Sequence, residues 1–342
     1  VQRSVSLVIP PLSGGGIAVG WRCTSRCRHC LYGCGPHRRD GLIREGRSLD
    51  GLLDTLAHRT PHAALHVGGG EPFHDLPLLV EVVSGVVERG LRLEYVETNA
   101  AWVRGRDHAS RTLEMLAEHG LRSLLVSASL FHAEFVPPGR TLALVEAASR
   151  VMDAVIVWLP EQLTEISTLP RSERFDLERT ILERGQPWLA SVAADYGVIA
   201  GGRGGRLYAS AGACHDWTAI PSSPTCAERL ASTSHFHVDL SGCYVPGLCA
   251  GIVLPLECVP GEIDLEGRVV LGRLLEGGVR ELAEWAVRDE GFVPDPGGYS
   301  GPCDLCTHVR THLARSGDYP ELGPAGFYDV RSVPGFAGGS FG

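Results

Sequence analysis

The chain has 342 residues, 44% of them hydrophobic and 21% charged, with a formal net charge of -9. That balance describes a globular protein of one large domain, or one plus a smaller appendage, and argues against a chain-wide grip on nucleic acid or anionic lipid. No apolar run reaches about 18 residues, which argues against a transmembrane helix. Nothing near Val1 has the basic-then-apolar layout of a signal peptide, so a cytoplasmic location is expected.

In chain order, Gly16 to Trp21 reads as a strand running into a cysteine-rich loop, and Leu49 to His58 as a helix. Ala63 to Val67 reads as a strand that ends in Gly68, Gly69 and Gly70. Leu78 to Arg89 has helical apolar spacing with Pro77 as a start signal. Leu91 to Val96, Leu121 to Val126 and Ala154 to Leu159 read as strands. Ser110 to His119, Thr141 to Met152 and Arg174 to Arg184 read as helices, and Trp188 to Val192 as a sixth strand. Strands and helices alternating at this spacing predict parallel strands with crossover helices, an α/β partial (β/α)6 TIM-like barrel. Its site is expected at the C-terminal ends of the strands. After about residue 200 the alternation breaks. Gly201 to Gly205 reads as a flexible turn or a place of close backbone approach. The expected division is a barrel over 1–205, a loop-rich, Cys-rich extension over 206–320 and a tail over 321–342, which either folds over the barrel or is loose.

Eleven cysteines without an export signal point to metal binding or chemistry more than to disulfides. Cys23, Cys27 and Cys30 stand in C-x3-C-x2-C spacing just after the first strand. Three thiolates on one tight loop can hold three irons of a [4Fe–4S] cube and leave the fourth iron open. The competing reading is a zinc site with Cys34 or His29 as fourth ligand. Further on, Cys303 and Cys306 form a C-x2-C pair, preceded by Cys226, Gly242, Cys243 and Cys249. Cys34, Cys214 and Cys258 read as buried or free thiols.

The cysteine loop followed by Gly69-Gly70-Glu71-Pro72 resembles the signature of the radical S-adenosylmethionine (radical SAM) enzymes, with His29 where an aromatic residue is usual. The resemblance covers roughly residues 15–200. It implies a SAM-binding [4Fe–4S] cluster on Cys23, Cys27 and Cys30. Gly69, Gly70, Glu71 and Pro72 would then meet the methionine amino group. Thr98 and Asn99, after the third strand, are within reach of the ribose; Ser127 or Ser129, after the fourth, would face the ribose or carboxylate. Glycines allow close backbone approach, and a carboxylate can accept hydrogen bonds from an ammonium. The later cysteines are similar to the SPASM and twitch extensions, which implies an auxiliary [4Fe–4S] cluster on Cys226, Cys249, Cys303 and Cys306, with Cys243 as substitute.

By that resemblance the expected activity is reductive cleavage of SAM to a 5′-deoxyadenosyl radical and hydrogen abstraction from a substrate. The expected substrate is a ribosomally made peptide, undergoing oxidation or cross-linking. The alternative is a dehydrogenation, epimerisation or rearrangement of a small metabolite. With about 22 residues before Cys23, a peptide substrate would call for a separate recognition protein. A flavodoxin- or ferredoxin-type reductant is the expected partner, with no nucleic acid and no membrane. A non-catalytic electron carrier or a zinc-stabilised binding protein are the readings from other classes.

Overall fold

The computed structural model describes residues 6–212, 214–221 and 225–333. Its centre is an open sheet of eight strands. β1 (Leu7–Ile9) lies outside this sheet. β2 (Gly14–Ala18) is followed by the cysteine loop and α1 (Leu49–Arg59). β3 (Ala64–Gly68), α2 (Leu76–Glu88), β4 (Arg92–Thr98), α3 (Arg106–Glu118) and β5 (Ser123–Val126) continue the alternation. The short α4 (Leu130–Ala133), α5 (Pro138–Val151) and β6 (Ala154–Val157) complete it. Four helices follow: α6 (Pro160–Ser167), α7 (Leu177–Arg184), α8 (Gln186–Asp195) and α9 (Arg203–Ala211). After α10 (Thr225–Ala231), β7 (Phe236–Asp239) returns to the sheet on the free side of β2. β8 (Cys243–Val245) and β9 (Leu254–Pro255) then extend it antiparallel. β10 (Gly261–Ile263) pairs with β1 in a separate two-stranded ribbon, before the long α11 (Val269–Asp289) and α12 (Pro302–Ser316).

The strand order β6-β5-β4-β3-β2-β7-β8-β9 contains six parallel strands, β2 to β7, and does not close. The partial barrel is therefore present. Its sixth strand, however, is not Trp188–Val192. That stretch is helical: Pro187 sits in the first turn of α8, and Leu189, Val192 and Ala193 bury one face at helical spacing. The sixth parallel strand is β7, whose four residues are all buried.

Local signals explain several boundaries. Ser48 caps α1 by accepting from the Gly51 amide at 3.1 Å, and Asp75 caps α2 by accepting from the Leu78 amide at 3.2 Å. The main apolar core runs from Leu7 through the sheet to α11, α12, Phe327 and Val333, across the boundary drawn at residue 205. A second core lies under α6 to α9. Residues 321–333 fold back against the cysteine loop: the Arg331 carbonyl accepts from Arg26 Nε at 3.1 Å, and Ser332 Oγ bonds His37 Nε2 at 2.7 Å. The rest of the tail lies outside the described residues. Among the described residues, no helix is long and apolar enough to cross a membrane.

Candidate active site and a second thiol cavity

The cysteine loop, the glycines after β3, Thr98 and Asn99 at the end of β4 and Ser127 after β5 meet at the C-terminal ends of the parallel strands, around a cavity of about 300 Å³. Cys23, Cys27 and Cys30 all line it, together with Cys34, His29, Glu97, His132 and Tyr196. The loop is held against the next strand end by backbone contacts. The Gly70 amide donates to the Gly20 carbonyl and the Glu71 amide to the Arg22 carbonyl, both at 2.9 Å. A Cβ at Gly70 would stand 1.9 Å from the Arg22 carbonyl oxygen, so only glycine fits. The glycine pair thus seats the cysteine strand as well as bordering the cavity.

Donors converge on the sulfurs. Cys23 Sγ accepts from the Ser25 amide at 3.3 Å and from Asn99 Nδ2 at 3.4 Å, and Cys30 Sγ accepts from the Cys34 amide at 3.4 Å. Burial, with Glu71 nearby, pushes the Cys23 thiol up to about 12, and burial raises Cys27 too. The Cys34 thiol, Arg203 and backbone amides favour the Cys30 thiolate, lowering Cys30 and raising Cys34. Arg203 is a buried residue that sequence reasoning missed. Its guanidinium donates to the Cys27 carbonyl at 2.8 Å, the Cys34 carbonyl at 2.7 Å and the Ser332 carbonyl at 3.2 Å. It follows Gly202, whose φ of 53° and close fit against the Leu31 carbonyl make the Gly201–Gly205 stretch a backbone-approach site and helix start, not a flexible turn. The signal available in the sequence was that glycine run beside one arginine.

Not every expected residue faces the cavity. Glu71 is buried, but its carboxylate is already used: Oε1 accepts from Thr98 Oγ1 at 2.8 Å and from the Phe73 amide at 3.2 Å, and Oε2 from the Asn99 amide at 2.7 Å. Its role in this fold is to clamp the end of β4, and burial pushes it up to about 7. Pro72 starts a buried 3₁₀ turn behind the glycines. Ser129 caps α4 and bonds His132 Nδ1 at 2.8 Å; Ser127 is the hydroxyl on the cavity wall. His29 stacks among Phe131, His132 and Tyr196, and its buried Nδ1 has no hydrogen-bond partner among the described residues.

Cys226, Cys249, Cys303 and Cys306 line a second cavity of about 90 Å³, brought together from α10, the turn after β8 and the start of α12. Burial raises Cys249 to about 12, against the nearby Arg310, and Cys226 to about 11, with the sulfurs of Cys303 and Cys306 adding to both. Cys243 lies elsewhere, accepting from Ser241 Oγ and from Arg44, each at 3.3 Å. Cys214 donates to the Ala209 carbonyl and Cys258 is exposed. The two cavities share Leu31, Ile199 and Leu248 in their walls. Among the described residues no three His, Cys, Asp or Glu side chains gather tightly enough to hold one metal ion. The thiols stand around volumes instead. Three thiols on one loop, two of them accepting from N–H donors, would fit a cube with one free iron; four around a small volume would fit a fully ligated one.

An open parallel α/β sheet with a thiol-lined cavity at its strand ends is the class that fold and site define. No protein-family model matches the chain, and no curated protein matches it. Among solved structures, the chain is similar to SuiB from Streptococcus suis bound to S-adenosylmethionine, at 12% identity over 70% of this chain and 61% of that one, with a TM-score of 0.32. It is similar to coproporphyrinogen III oxidase from Escherichia coli, described as a radical SAM enzyme, at 13% identity over 70% and 66%, TM-score 0.31. BtrN in complex with AdoMet and 2-DOIA matches at 19% identity over 35% and 46%, TM-score 0.27. The chain thus spans from under half to about two thirds of the length of these structures. The residues on which the sequence resembles radical SAM enzymes, Cys23, Cys27, Cys30, Gly69 and Gly70, all border the first cavity.

Proposed function

We propose that the chain is a radical SAM enzyme with an auxiliary iron–sulfur site, acting oxidatively on a peptide. The observation that carries the reading is the convergence of Cys23, Cys27, Cys30, Gly69, Gly70, Asn99 and Ser127 on one cavity. Cys23, Cys27 and Cys30 would hold the cluster, and Cys226, Cys249, Cys303 and Cys306 a second one. With a cluster on Cys23, Cys27 and Cys30 and SAM bound, an electron passed from a flavodoxin- or ferredoxin-type donor through the cluster would supply cleavage of the S–C5′ bond into methionine and a 5′-deoxyadenosyl radical able to take hydrogen from the substrate. The chain's own residues orient and shield. The Ser25 amide and Asn99 support the Cys23 thiolate, and the Cys34 amide the Cys30 thiolate. Gly69 and Gly70 leave room for the methionine end, and the packed rings of His29, Phe131, His132 and Tyr196 exclude water on one side.

A cavity volume at the lower end of small-molecule sites favours, as second reading, a small metabolite as substrate. The test is anaerobic reconstitution with iron and sulfide, then incubation with SAM and a strong reductant. Formation of 5′-deoxyadenosine and methionine, lost in C23A/C27A/C30A, is the expected result. A fully loaded protein that leaves SAM intact would defeat the proposal. Incubation with peptides encoded beside the gene, against small amines and sugars, then separates the two substrate readings.

A further inference from the structure

Two arginines point at the sulfurs of the second cavity. Arg310 Nε donates to Cys306 Sγ at 3.3 Å, and Arg229 donates to Cys303 Sγ at 3.2 Å. Arg310 is only 4% exposed. It is fixed from behind, donating at 2.9 Å to the Ala250 carbonyl and at 3.0 Å to the Tyr328 hydroxyl. Among the described residues neither guanidinium has a carboxylate within ion-pair distance, and no Asp or Glu lines the cavity. A guanidinium cannot shed its proton, and burying one without an anion is strongly unfavourable. The groups facing Arg310 are sulfurs, so the arrangement is complete only when those sulfurs carry negative charge. Four thiols held neutral would leave a buried cation beside four neutral groups; four thiolates around iron would leave a net anionic site with two built-in counter-cations.

We propose that Arg310 and Arg229 are the counter-charges of the auxiliary cluster and raise the potential at which it takes an electron. This rests on the iron–sulfur reading of the second cavity. A positive charge at the ligating sulfur stabilises the more negative, reduced state over the oxidised one. Arg310 contributes more because it is desolvated, and Arg229 less because its side chain is exposed. Among the described residues no guanidinium donates to a sulfur of the first cavity: Arg203 reaches carbonyls, and the Cys23 and Cys30 sulfurs receive amide donors.

The experiment uses the full chain reconstituted with iron and sulfide. The second site is isolated in a C23A/C27A/C30A background and titrated potentiometrically by visible absorption and EPR. At the potential where the parent's second cluster is half reduced, Arg310→Gln is expected to lower the ratio of reduced to oxidised cluster about tenfold, equivalent to about 59 mV for a one-electron couple. Arg229→Gln is expected to lower it about two- to threefold, and Arg310→Lys to restore most of the loss. Four irons retained with an unmoved potential in both Gln variants overturns the inference and leaves the cluster assignment standing. If Arg310→Gln loses its iron, the Arg229→Gln titration decides, and an unmoved potential there overturns the inference. A parent protein with no iron at the second cavity overturns the cluster assignment first and the inference with it.

Discussion

The two thiol cavities differ in volume, in wall and in the kind of donor that reaches sulfur. The one at the strand ends measures about 300 Å³ and carries hydroxyls, an amide, a carboxyl, imidazoles and the Arg203 guanidinium in its wall; the one between α10 and α12 measures about 90 Å³ and is lined mainly by apolar groups, thiols and two guanidiniums that donate to sulfur. Amide donors in the first favour thiolates without adding net charge, and spare volume and polar groups remain beside them. In the second nothing is spare. The same residue, cysteine, therefore lines a cavity with room for another molecule and a much smaller one.

The sharpest way to break this comparison is by removing thiols reciprocally. C303A/C306A should lose about four irons per chain yet still cleave SAM, whereas C23A/C27A/C30A should keep the second site's iron and form no 5′-deoxyadenosine. Iron analysis with product chromatography checks both, and a single variant that empties both sites would mean the cavities are not independent. Gly70→Ala comes next. With its new Cβ 1.9 Å from a backbone oxygen, it should lower stability by about 3 kcal/mol or more in urea melts. Gly272→Ala, in open space within α11, should raise it by about 0.5–1 kcal/mol.

The buried clamp Glu71 gives a pH signature. Its folded value of about 7 lies above the ordinary 4.5. Between those values the folded chain holds a proton that the unfolded chain has lost. Glu71's contribution to stability should therefore fall as pH rises through that window, by roughly 3 kcal/mol, and be level above and below it. Urea melts from pH 4 to 8 should show this slope flattened in Glu71→Gln; an unchanged slope would assign it to other groups. The smallest effect separates two serines. Ser129→Ala should cost about 1 kcal/mol as a lost cap with SAM affinity unchanged, while Ser127→Ala should weaken SAM binding at constant stability, as calorimetry can measure.

Much of this was legible in the sequence because it is local. The strand–helix alternation from β2 to β6 follows from apolar period, and the cysteine and glycine motifs from spacing. Trp188–Val192 misled because a five-residue apolar run carries no period long enough to separate strand from helix. β7 was hidden because His237 and Asp239 are polar yet buried. Asp239 accepts from the Trp21 indole at 3.0 Å, and His237 Nε2 bonds His66 Nε2 at 3.1 Å, partners that lie far away in sequence. Arg203 and Arg310 were invisible for the same reason: a buried arginine differs from a solvated one only through its tertiary partners. Glu71 was read as facing a ligand because its motif position says where it sits in the chain, not which way its carboxylate turns.

Arg203 joins segments that are made far apart in time. Its guanidinium touches the carbonyls of Cys27 and Cys34 and that of Ser332, some three hundred residues later. A knot of such long sequence separation is slow to form, since distant segments must be ordered before the contact rewards it. The cysteine loop is therefore unfinished until residue 332 has been made, and before then its thiols stand in a partly open, oxidisable loop.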